Sequence, residues 1–134
     1  MNTPDPHESK TILLVDDDID FLTQMRMQLE AAGYRVITAE NESGAEAALT
    51  KDQPDMAIVD LMMDHTDGGF ALCYHIKKIY PSTPVIIVTA VASETGLEFD
   101  TTTTEERSWI KADALLTKPI RFEQLQKEIT RLVQ

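Results

Sequence analysis

Cysteine is almost missing from this chain: its 134 residues include one, Cys73. No internal disulfide can form, which suits a reducing compartment such as the cytoplasm. Cys73 falls among apolar residues of a predicted helix and reads as a buried structural thiol, not a reactive one. Basic side chains are also scarce, 12 against 23 acidic ones, for a net charge of −11. A chain this anionic repels phosphate backbones and anionic lipid surfaces, which argues against direct binding to nucleic acid or membrane. No apolar run approaches the roughly 20 residues that span a bilayer. The opening MNTPDPHESK lacks the apolar stretch of a secretory signal. Residues 1–9 therefore read as a disordered lead-in and 10–134 as one domain.

What is present suffices for a core. The hydrophobic fraction is 43% and the charged fraction an ordinary 26%. The length fits a single domain of common size, so neither disulfide nor structural metal is needed for stability. After Lys10, short apolar runs alternate with amphipathic stretches. Runs at 11–15 (TILLV), 34–38 (YRVIT), 56–59 (MAIV), 85–88 (VIIV) and 114–116 (ALL) predict strands, several buried on both faces. Helices are expected over 19–32, 42–49, 69–80, 105–111 and 122–133. Leu22, Met25 and Leu29 mark the inner face of the first, and Leu72, Ile76 and Ile79 that of the third. Phe122, Leu125, Ile129 and Leu132 mark the inner face of the last. Gly33 suits a left-handed helix cap. Strands alternating with helices imply a parallel sheet covered on both sides, and right-handed crossovers leave only a few doubly wound orders.

Parallel α/β sheets bind ligands outside the carboxyl ends of their strands. Asp16, Asp17 and Asp18 follow the first strand, Asp60 the third, Thr89 the fourth and Lys118 the fifth. Crowded carboxylates repel one another, and a hard divalent cation relieves that repulsion. A lysine and a hydroxyl at the same edge would be surplus for metal storage, but they suit the oxygens of a phosphoryl group. In this reading Asp60 is the nucleophile and Asp17 binds the metal directly. Asp16 supports the metal, Thr89 donates a hydrogen bond and Lys118 neutralises charge. Singly, each has a plainer account: Asp18 as a helix N-cap, Asp60 in a turn, Thr89 as a strand threonine, Lys118 in solvent. Chance does not readily place all of them at strand ends.

In order, the segments LLVDDD (13–18), IVD (58–60), Asp67-Gly68, VTA (88–90) and Lys118-Pro119 resemble the receiver domains of two-component response regulators. The resemblance covers about residues 10–134. It implies a flavodoxin-like (βα)5 fold, a doubly wound five-stranded parallel sheet of order 2-1-3-4-5. It further implies phosphorylation of Asp60 by a histidine kinase or a histidine phosphotransfer protein, with Mg²⁺ (or Mn²⁺) as cofactor. Asp16, Asp17, Asp60 and the backbone carbonyl of Met62 would hold that ion. A cis Lys118-Pro119 bond is expected. Phosphorylation would change the surface around the fourth helix, fifth strand and fifth helix, for a downstream protein target. Homodimerisation on phosphorylation is left open.

The chain departs from the family pattern in places. Asp64 stands where proline is usual, and Leu115 where an aromatic often turns inward on activation. The stretch between Thr89 and Lys118 is long and holds Gly96, four threonines at 101–104 and Trp109, which reads as a core anchor. His65 lies close after Asp60, without the company a metal-ligand histidine needs. Neither Met62 nor Val91 carries an ionised group to orient water, so loss of the phosphoryl group should be slow. No output domain is visible, so the chain reads as a stand-alone receiver or a piece of a longer regulator. Two rivals remain. One is a pseudo-receiver that binds partners without phosphorylation. The other is a haloacid-dehalogenase-like phosphatase using Asp16 and Asp18 as D-x-D, which leaves Asp60 unexplained.

Overall fold

The computed structural model describes residues 10–61, 68–89, 112–118 and 120–133. Its elements are β1 (Thr11–Val15), α1 (Ile19–Ala31), β2 (Arg35–Ala39), α2 (Glu42–Lys51) and β3 (Met56–Asp60). They continue with α3 (Gly68–Ile79), β4 (Val85–Thr89), β5 (Ala114–Thr117) and α4 (Phe122–Val133). The strands form one sheet in the order β2-β1-β3-β4-β5, and every pairing is parallel. The expected flavodoxin-like order is thus present. The expectations for residues 1–9, the helix over 105–111, Trp109, and the cis bond to Pro119 fall outside the described residues.

Alternation along the strands builds two cores from single apolar runs. Ile12 and Leu14 of β1, Met56 and Ile58 of β3, and Ile86 and Val88 of β4 point to one face. There they meet Leu22, Met25 and Leu29 of α1 and Leu125 and Ile129 of α4. Leu13, Val15, Ala57, Val59, Val85 and Ile87 point the other way, against Ala45 and Leu49 of α2 and Leu72, Cys73 and Ile76 of α3. β1, β3 and β4 are buried along their whole length. That is why their sequences read as unbroken apolar runs, not as alternating ones.

Local signals set the helix ends. The Asp18 carboxylate accepts from the backbone N–H groups of Asp20 at 3.0 Å and Phe21 at 3.3 Å, the N-cap expected of it. Gly33 has φ 102° and turns the chain out of α1 into β2. Asn41 caps α2 by accepting from Gly44 N at 2.7 Å.

Several boundaries differ from the sequence expectation. β2 starts at Arg35, while Tyr34 is buried beneath α1. β3, β4 and β5 each run one residue further, so Asp60, Thr89 and Thr117 close their strands. Ile79 was expected inward but is 43% exposed. Cys73 completes the buried stripe of α3, and Tyr80 takes the inward place at its end. Its hydroxyl donates to Leu49 O at 2.8 Å, tying α3 to α2.

Candidate functional site

The sheet register brings the acids together. β1 and β3 pair Val15 with Val59, so the next residues, Asp16 and Asp60, stand side by side at the strand ends. One carboxylate oxygen from each of Asp16, Asp17 and Asp60 lies within 4.8 Å of the others. Asp16 and Asp60 are buried, at 1% and 6% exposure, whereas Asp17 is open to solvent. Burying two carboxylates side by side is unfavourable unless cations or hydrogen bonds compensate.

The compensation comes from β5. The Lys118 backbone N–H donates to Thr89 O at 2.7 Å, which fixes the lysine one residue past the end of its strand. From there its ammonium reaches Asp16 Oδ2 at 2.8 Å and stands 4.0 Å from Asp60 Oδ1. The other Asp16 oxygen, Oδ1, accepts from Asp18 N at 2.9 Å. Thr89, 1% exposed, closes β4 beside this edge. Its neighbour Val88 pairs with Asp60 in the β3–β4 register. Of the residues singled out from the sequence, Asp16, Asp17, Asp60, Thr89 and Lys118 thus converge at one sheet edge. Met62, like Asp64 and His65, lies outside the described residues.

The acidic trio fits a hard divalent cation. Ligand oxygens in an octahedral Mg²⁺ shell stand about 3 Å apart as neighbours and about 4 Å apart across the ion, given metal–oxygen distances near 2.1 Å. Oxygens already within 4.8 Å need only small side-chain movements to reach that spacing. The donor set is all oxygen, as such an ion requires.

Three structural features, two at the site and one away from it, are not announced by the sequence motifs. The first is Phe21, whose ring centroid lies 4.4 Å from Lys118 Nζ. Phe21 stands one position before Leu22 of the buried α1 stripe, and nothing in the sequence marks it as a partner of Lys118. The second is Gly69. A Cβ there would collide with the carbonyl oxygen of Asp60 and stand 2.5 Å from Leu61 Cα, so α3 begins against the backbone that carries Asp60. The third lies at the opposite end of the sheet, where Asp113 Oδ2 pairs with Lys77 Nζ at 2.8 Å and accepts from Val85 N at 2.8 Å. That contact holds the start of β5 to β4 and α3. Leu115, at the position where the resembled family often has an aromatic, is half-buried and packs on the α2–α3 side of the sheet. Asp18 spends one carboxylate oxygen on capping α1, and it is Asp60, not Asp18, that joins Asp16 and Asp17 in the acidic cluster.

The family model described as "Response regulator receiver domain" matches residues 12–130. The chain belongs to this receiver-domain family. Receiver domains of known structure share its fold closely. Chemotaxis response regulator CheY4 of Vibrio cholerae superposes with a TM-score of 0.77 at 28% identity, covering 92% of this chain and 98% of that one. A CheY-like receiver domain protein of Methanospirillum hungatei JF-1 gives a TM-score of 0.77 at 26% identity, covering 92% and 93%. Among curated proteins, transcriptional regulatory protein GlrR of Escherichia coli (strain K12) is 40% identical over 87 residues, 65% of this chain and 19% of that protein. Heme response regulator HssR of Staphylococcus haemolyticus is 35% identical over 114 residues, 84% of this chain and 46% of that protein. The receiver thus spans less than half the length of these curated relatives.

As a receiver, the chain is an aspartate-phosphorylation signalling domain and not a turnover enzyme, and its acidic cluster suits metal-assisted phosphorylation. Among the described residues, no helix is long and apolar enough to cross a membrane.

Proposed function

We propose that Asp60 is the phosphoacceptor. A carboxylate oxygen of Asp60 attacks the phosphorus of a phosphohistidine on a histidine kinase or phosphotransfer protein. The P–N bond breaks, and the imidazole leaves with the bonding electron pair. The supporting observation is the placement of Lys118, with its ammonium 4.0 Å from Asp60 Oδ1 while it pairs with buried Asp16. A short movement of that ammonium from one carboxylate towards the other brings it onto an incoming phosphoryl oxygen. Thr89, at the end of the neighbouring strand, donates its hydroxyl to a second phosphoryl oxygen.

Asp16, Asp17 and Asp60 would hold Mg²⁺ (or Mn²⁺), joined by the backbone carbonyl of Met62. The ion would neutralise charge that builds on the transferring group. Both oxygens of Asp16 already have partners, Asp18 N and Lys118. Exposed Asp17 is therefore the direct ligand and Asp16 the supporting one. On this reading residues 10–134 form the receiver and work in the cytoplasm. The signal passes to a downstream protein through the surface around β5, α4 and the preceding segment, not to nucleic acid or membrane.

Intact-mass measurement after incubation with acetyl phosphate tests the assignment. One added phosphoryl group is expected, dependent on Mg²⁺ and absent from Asp60→Ala. Labelling that persists in Asp60→Ala would move the acceptor elsewhere. A protein that takes up no label and binds no Mg²⁺ would instead be a receiver that works by docking alone.

A further inference from the structure

We infer that Phe21 is a positioning residue for Lys118: its ring holds the ammonium at the acidic edge and out of the neighbouring cleft. This inference rests on the phosphoacceptor reading above. The ring centroid lies 4.4 Å from Lys118 Nζ, well inside the range of a cation–π contact, which strengthens as the cation loses water. The Lys118 side chain is only 19% exposed. The ring therefore replaces water on part of the ammonium, while Asp16 takes another part at 2.8 Å.

Phe21 is itself held from two directions. Its backbone N–H donates to the capping carboxylate of Asp18 at 3.3 Å. Its ring packs on the core beneath α1 and α4. The residue after the acid pair thus caps the helix that carries the ring, and the ring holds the lysine that returns to the acid pair. One short segment, 16–21, sets both the negative and the positive half of the site.

A lysine needs such a restraint here because it has somewhere else to go. A cleft of about 920 Å³ between α1 and α4 opens beside it, lined by Phe21, Met25, Lys118, Phe122 and Glu123 among others. Lysine is a point charge on a flexible four-carbon stem. Without the ring, the ammonium gains freedom to swing into this cleft, whose lining includes the Glu123 carboxylate as well as the Arg121 guanidinium. The ring then acts on phosphoryl transfer by raising the fraction of time that Lys118 faces Asp60.

The decisive series replaces Phe21 with mono-, di- and trifluorinated phenylalanine, which keep the ring's shape while draining charge from its face. Phe21→Leu and Phe21→Trp complete the set. The phosphorylation rate from acetyl phosphate at saturating Mg²⁺ should fall stepwise with fluorination and by about five- to twenty-fold in Phe21→Leu, with Phe21→Trp close to wild type. Mg²⁺ affinity by calorimetry should not fall, since Lys118 opposes the ion. Glu123→Gln placed on Phe21→Leu should restore part of the rate. By NMR, the Lys118 ε-methylene protons should be shifted upfield by the ring in wild type and not in Phe21→Leu. A flat fluorination series, or a Mg²⁺ affinity that drops in step with the rate, would reduce Phe21 to helix packing and overturn the inference. If wild type takes up no phosphoryl group, the phosphoacceptor reading fails separately. The NMR shift then decides for Phe21: an unshifted ε-methylene in wild type overturns its role.

Discussion

Lys118 makes its short contact with Asp16, at 2.8 Å, and only a long one with Asp60, at 4.0 Å. The lysine therefore serves two purposes. It neutralises a carboxylate that is 1% exposed, and it stands one short movement from the proposed acceptor, Asp60. Any cation that uses Asp16 must share it with this ammonium.

Removing the lysine separates these purposes. In Lys118→Met, buried Asp16 keeps, among the described residues, the 2.9 Å hydrogen bond from Asp18 N alone. We expect a loss of about 1–3 kcal/mol in stability from the uncompensated carboxylate. We also expect tighter Mg²⁺ binding, because the ion no longer competes with the ammonium, so added Mg²⁺ should raise Tm more than in wild type. Calorimetric titration with melting curves checks both. Weaker Mg²⁺ binding in the variant would contradict the competition.

Gly69 is expected to be intolerant of any side chain. The colliding atoms are the Asp60 carbonyl oxygen, Leu61 Cα and Leu61 O, all backbone with no rotamer to yield. Gly69→Ala should cost about 1–3 kcal/mol as α3 is forced off the strand. Phosphorylation should also slow, since the displaced backbone carries Asp60. A urea melt unchanged from wild type would show that α3 can move aside freely.

The fold was legible because its signals are local. Five apolar runs, a capping aspartate and a cap glycine each act over a few residues, and connectivity rules then leave few topologies. Strand ends were harder to read. Asp60, Thr89 and Thr117 are polar, and polarity in the sequence looks like the end of a strand even where the ladder of hydrogen bonds continues one residue further. Ile79 misled for a related reason: periodicity marks a stripe, but Tyr80, by reaching Leu49 O, decides which residue ends it. The acids, Thr89 and Lys118 could be listed from their positions after strands. Their pairing could not, because whether Lys118 meets Asp16 or Asp60 depends on register across four strands and on an aromatic ring 97 positions earlier in the chain.

Asp18 should matter for stability and not for chemistry. Its carboxylate accepts from Asp20 N and Phe21 N. Asp18→Ala should therefore cost about 1 kcal/mol, and Asp18→Asn nearly nothing, since asparagine caps as well. Acetyl phosphate labelling of Asp60 should persist in both. Labelling abolished in a folded Asp18→Asn would revive a D-x-D mechanism.

The phosphoryl group should be long-lived once attached. Hydrolysis needs a group that orients water in line with the P–O bond. Met62 and Val91, at positions where the resemblance to receivers implies such a group would stand, carry no ionised group. Following the mass adduct after removal of acetyl phosphate checks this. Loss within seconds would require a water-orienting group from elsewhere in the chain.

Cys73 gives the protein an alkaline limit with a definite sign. The thiol is fully buried on α3. Burial pushes its pKa from 9.0 to about 12, opposed by the Lys77 ammonium and reinforced by the Asp113 carboxylate. Between those two values the unfolded chain releases the thiol proton while the folded chain retains it. The unfolded state then binds fewer protons, so stability must fall as pH rises through the window. Below pH 9 the contribution is complete and flat. Lysines and tyrosines also titrate in this range, so the measurement is a difference: urea melts of wild type and Cys73→Ala from pH 8 to 11. The alanine variant starts lower because it leaves a cavity, but its stability should decline less steeply with pH, and the two curves should converge. Parallel curves would mean that the native thiol ionises as readily as a free one. In that case it should also react with a thiol reagent in the folded protein at pH 8, where burial predicts no reaction until the chain unfolds.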